Sequence, residues 1–167
     1  MTHPLVLALF SDRDAAAVGA RAVHELGVGR EHLSIVARDH QEEGELAEDL
    51  EGTPGVELED SRRAATLGEL GGYILAAIAV VLPGIGPIVA GGPLAAGLGE
   101  AAGHTVGSLR SVLAHTGVSA AHAAEWERRV LDGAVLLGVH AIGVHEGKIR
   151  TALEQSGAES VEQVSFR

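Results

Sequence analysis

Glu100 and His104 stand one helical step apart, and each directly follows a glycine, Gly99 and Gly103. On a helix, residues i and i+4 share a face. The carboxylate and the imidazole would therefore project together beside a groove of small residues. With Glu69 from a facing helix they form a candidate three-ligand metal site, since carboxylates and imidazoles from paired helices suit a divalent transition metal. The same residues also describe a buried ion pair or hydrogen-bonded pair that fixes helix register, and this is the preferred reading. His140 and His145 flank the end of an expected strand and make a second candidate chelating pair. Their spacing across a strand-to-helix turn is not diagnostic.

Other reactive patterns find less support. No serine lies in a Gly-x-Ser-x-Gly context. Gly84-Ile85-Gly86 lacks the strand-turn-helix setting and third glycine of a dinucleotide loop, and also the lysine of a phosphate loop. Its alternation with Pro83 and Pro87 reads instead as a turn that stops two helices. The absence of cysteine excludes disulfides, thiolate catalysis and cysteine-ligated zinc. The expectation is a protein that is not an enzyme and takes no cofactor.

Composition narrows the remaining classes. The 167 residues suffice for one domain, or one domain carrying a large insertion. Hydrophobic residues make up 46% but aromatics only 2%, so the core must be built from Ala, Val, Leu and Ile around glycine. A formal net charge of −11 argues against nucleic acid as a partner and disfavours attraction to an anionic membrane surface. Met1 to Leu9 lacks the basic region and long apolar run of a signal peptide. A cytoplasmic location is expected.

The outer segments supply the scaffold. Pro4 to Phe10 and His32 to Arg38 read as strands around a helix that Ser11 can cap and Gly27 can stop. Its apolar stripe is read as Ala15, Val18, Gly19, Ala22, Val23 and Leu26. Near the other end, Ala134 to Ala141 and Val161 to Phe166 are strands around a helix from about Glu146 to Gly157. A further helix opens at Ser119, ends near Asp132 and carries Trp126, which is read as a packing residue. The order β-α-β-β-α-β is the ferredoxin-like pattern. The first and third strands are apolar on both faces, so both faces of the sheet must be covered.

Between the halves lies a long interruption. Residues 39–60 are acidic and rich in glycine, and read as a solvated linker. Residues 61–116 carry small residues at every fourth position: Ala64, Gly68, Gly72 and Ala76, then Gly91, Ala95, Gly99, Gly103, Gly107 and Ser111. Such rows suggest two closely packed helices, one from Ser61 to about Leu82 and one ending near His115. Gly68, Gly72, Gly99, Gly103 and Gly107 are the expected helix-packing positions. The apolar run is cut by Pro83, Pro87 and Pro93, so a soluble hairpin covering the sheet is preferred to a membrane-inserted one. The expected fold class is thus α+β: a ferredoxin-like sheet domain interrupted by a glycine-rich helical hairpin. The first half spans residues 1–38, the insertion 39–118 and the second half 119–167, all one domain.

With these elements in place, the chain resembles the bacterial general stress protein 17M-like domains, in particular members with a glycine-rich hydrophobic insert. The resemblance rests on Leu5 to Phe10 followed by Ser11-Asp12-Arg13-Asp14-Ala15-Ala16, on Leu33 to Arg38, and on Pro83-Gly84-Ile85-Gly86-Pro87-Ile88-Val89-Ala90-Gly91-Gly92-Pro93-Leu94-Ala95. Gly117-Val118-Ser119 and Gly133 to Leu137 complete it. It implies a cytoplasmic bacterial protein linked to stress survival, with no established catalytic site. The expected function is a noncatalytic stress-response protein, a homodimer acting through self-association or an unidentified protein partner. The alternatives are a small ligand- or metal-binding module using the groove between sheet and hairpin, or a peripheral membrane-associating protein.

Overall fold

A computed structural model describes residues 3–38, 77–82, 86–91 and 109–166; for 77–82, 86–91 and 166 it describes the backbone only. The fold is α+β. Six strands form one antiparallel sheet in the order β3-β4-β2-β5-β1-β6. They are β1 (His3–Phe10), β2 (Leu33–Arg38), β3 (Ala77–Leu82), β4 (Gly86–Gly91), β5 (Val135–His140) and β6 (Ser160–Phe166). The described α-helices are α1 (Arg13–Glu25), α2 (Leu109–His115), α3 (Ala120–Leu131) and α4 (Glu146–Gln155). None of the described helices is long and apolar enough to cross a membrane.

The pleat sorts β1 and β5 onto two cores. Val6, Ala8, Phe10, Ile35, Leu137 and Val139 face α1 and α4, where Ala16, Ala20, Val23, Ile149 and Leu153 meet them. Leu5, Leu7, Leu9, Val36 and Leu136 face α2 and α3, where Leu109, Leu113, Trp126 and Val130 meet them. Both faces are therefore covered, as two-sided apolar strands require. Trp126 is a packing residue, 1% exposed.

Local chemistry explains where the helices begin and end. The side chain of Asp12, rather than the expected Ser11, caps α1 by accepting from the Ala15 backbone N–H at 2.8 Å. Gly27, at φ +98°, ends the helix in the left-handed region. Ser119 caps α3 as expected. The buried stripe of α1 is Ala16, Ala17, Gly19, Ala20 and Val23, while Val18 and Leu26 of the expected stripe face outward. The reason is the Phe10 ring: a Cβ on Gly19 would sit 2.5 Å from its Cζ, so the helix presents its smallest residues to the sheet.

The expected helical hairpin is corrected where the structure describes it. Residues 77–82 and 86–91 are strands β3 and β4. They pair with each other from Ala77↔Gly91 to Leu82↔Gly86, and β4 joins β2 through Ile35↔Gly91 to Arg38↔Ile88. Of the expected helix break at Pro83–Pro87, Gly86 and Pro87 belong to β4, and residues 83–85 lie outside the described residues. The residues explain the strands: Ile78, Val80, Val81, Ile88 and Val89 are β-branched and favour strands. Short apolar runs fit either period. Gly91 is in a strand and Ser111 in α2, so that small-residue row is not one continuous helix. Gly68, Gly72, Gly99, Gly103 and Gly107 lie outside the described residues, as does the acidic stretch 39–60. The described cover of the second sheet face is α2 and α3, while the β3–β4 hairpin widens the sheet.

Candidate functional site

Strand register gathers histidines at one end of the sheet. Leu5 pairs with His140, and alternation places His3 on the same face as Leu5, diagonal to His140. A bond from the Ala141 backbone N–H to the Pro4 carbonyl, 2.8 Å long, holds these ends together. On the other side of β5, Leu33 pairs with Val139, so His32, the last residue of a short 3-10 turn, precedes β2 beside His140. Ser34 lies opposite Gly138 and is fully buried.

The result is a close imidazole pair. His3 Nε2 and His140 Nδ1 are 2.6 Å apart, with ring centroids at 4.9 Å and planes inclined by 49°. At that distance a single hydrogen occupies the space between the nitrogens, with one ring donating and the other accepting. His140 is 1% exposed. Burial first, then the neighbouring charges of His3 and His32, push its pKa down from 6.5 to about 4. His140 is therefore neutral at pH 7, the form that accepts hydrogen bonds and binds metals. His32 in turn lies 3.4 Å from the Glu31 carboxylate.

Several ion pairs brace the surrounding helices. Glu127 on α3 accepts from the Arg110 backbone N–H at 2.7 Å and from its guanidinium at 3.2 Å, fixing the first turn of α2. His122 lies 3.1 Å from Glu162 on β6 and stacks on Trp126, with centroids 6.2 Å apart. Arg129 pairs with Glu159. These pairs clamp α3 to α2 and to the β6 side of the sheet.

The sequence-predicted site residues fare unevenly. Glu69, Glu100 and His104 lie outside the described residues. His145 does not join His140. Its Nδ1 accepts from the Gly147 backbone N–H at 3.0 Å, so it caps α4 and borders a shallow surface groove with Leu26, Lys148 and Thr151. The partner of His140 is His3, which sequence reasoning missed. The signal that could have found it is the parity of His3 with Leu5 and Leu7, combined with an antiparallel pairing of the first and third outer strands. Among the described residues, no group of three His, Asp or Glu is placed to hold a metal ion. No family model matches the chain, and no curated protein or solved structure matches it.

Proposed function

We propose that this chain is a noncatalytic, cytoplasmic stress-response protein that works through self-association or partner binding. It would be built on a ferredoxin-like βαββαβ sheet interrupted between its second and third strands. Support for the scaffold comes from the antiparallel order β6-β1-β5-β2 and from α1 and α4 packing on the same face. A βαββαβ chain with both repeat helices on one side fits this arrangement. Support for the stress-response class comes from the resemblance of Leu5 to Ala16 and of Pro83 to Ala95 to general stress protein 17M-like domains.

The observation that carries self-association is the outer edge of β3. Among the described residues, β3 has a strand partner on one side only. Its six residues, Ala77–Leu82, include no charge, whereas the opposite edge strand, β6, carries the carboxylate of Glu162. Charges on edge strands discourage pairing between molecules, and β3 lacks that protection. A two-fold axis would set β3 antiparallel to its own copy, the self-complementary arrangement of most homodimers.

Sedimentation across a concentration series tests this reading. A dimer that Ala79→Lys converts to a folded monomer is the expected result. A wild-type monomer at high micromolar concentration would refute self-association. A dimer indifferent to Ala79→Lys would refute the β3 edge as the contact.

A further inference from the structure

We propose that His3 and His140 form a two-imidazole binding site for a late first-row divalent cation of the Zn²⁺, Ni²⁺ or Cu²⁺ class. Two ring nitrogens from different strands converge on one point, His3 Nε2 and His140 Nδ1, 2.6 Å apart. Imidazole nitrogen is a preferred ligand for these ions, and hard cations such as Mg²⁺ and Ca²⁺ take oxygen instead.

The geometry requires one small movement. Two nitrogens each about 2.0–2.1 Å from a tetrahedral ion stand about 3.3 Å apart, so the rings must separate by roughly 0.7 Å. His140 is enclosed, at 1% exposed, while His3 is only partly buried, at the first residue of β1. The His3 ring is therefore the one that yields, and the ion enters from its side. Water completes the coordination there, since no third His, Asp or Glu among the described residues converges on the point.

The proton balance is simple. In the metal-free pair, one ring carries the bridging hydrogen. On binding, that hydrogen moves to the remote nitrogen of its own ring, Nδ1 of His3 or Nε2 of His140, and both facing nitrogens turn their lone pairs to the ion. Each ring keeps one N–H, so two neutral imidazoles bind without releasing a proton.

Calorimetric titration of the untagged, chelator-treated full chain with Zn²⁺ alone tests the site, with Ni²⁺ as a second probe. The expected result is saturable binding of one ion per chain at this site. His3→Gln should weaken it at least tenfold, and His140→Gln likewise. His122→Gln and His145→Gln should leave it intact. His3→Gln sits at a partly exposed strand end, so it reports even if the buried His140 variant does not fold. Side-chain ¹⁵N shifts supply a second readout: His3 and His140 should move on Zn²⁺ addition, and His122 and His145 should not. No binding, or binding that survives His3→Gln but is lost in His104→Gln, would overturn the proposal. The latter outcome would assign the ion to the Glu69, Glu100 and His104 set.

Discussion

The buried His140 makes the pH dependence of stability a quantitative test. His140 has a pKa of 6.5 when unfolded and about 4 in the fold. Between those values the unfolded chain holds the proton and the native chain does not, so stability falls as the pH falls. The stabilising contribution is fully present above about pH 7 and is lost progressively down to about pH 4. Complete loss amounts to about 3 kcal/mol at 1.36 kcal/mol for each factor of ten in proton affinity. From pH 7 to pH 5 the expected loss is about 2 kcal/mol. The decisive quantity is a difference between two proteins. His140→Gln keeps a polar side chain beside His3 and cannot titrate. Urea unfolding of both proteins, metal-free and at constant ionic strength, should give a stability gap that changes by about 2 kcal/mol between pH 7 and pH 5. Parallel profiles would refute the reasoning, because they would mean that His140 takes up its proton in the fold as readily as in the unfolded chain.

Two substitutions test the packing that positions the site. Gly19→Ala places a methyl group 2.5 Å from the Phe10 ring; the overpacking cost of about 1–3 kcal/mol should exceed the helix-propensity gain of about 1 kcal/mol. The expected outcome is a lower melting temperature, and a higher one would show that the ring moves aside freely. Glu127→Ala removes both bonds to Arg110 and should cost about 1–3 kcal/mol. Glu127→Gln, which can still accept from the Arg110 backbone N–H, should cost less, and equal losses in chemical denaturation would contradict the capping role.

Much of the fold was legible because it rests on local rules. Ser119 before an amphipathic run, Gly27 and Gly157 after one, and the two-sided apolar character of Leu5 to Phe10 each announce an element over a few residues. The strand assignment of 77–82 and 86–91 was not legible from period alone. An uncharged run with small residues at every fourth position fits a helix, and the β-branched residues among them were the contrary signal. The face that α1 buries depends on a tertiary contact that helical periodicity does not carry, the close approach of Gly19 to the Phe10 ring.

The imidazole pair was hidden for a deeper reason. Where one face of a strand is polar, a slip of one residue exposes the core, and the pattern fixes the register. β1 and β5 are apolar on both faces, so a slipped pairing would bury nearly as much apolar surface. Their register must then be selected by groups that tolerate only one alignment. At one end these are the 2.6 Å His3–His140 contact and the Pro4 carbonyl facing the Ala141 N–H. A one-residue slip would carry His140 to the face occupied by Val6 and Val139, without His3 to meet it. The same histidines that make the candidate site thus help to specify the strand alignment that creates it.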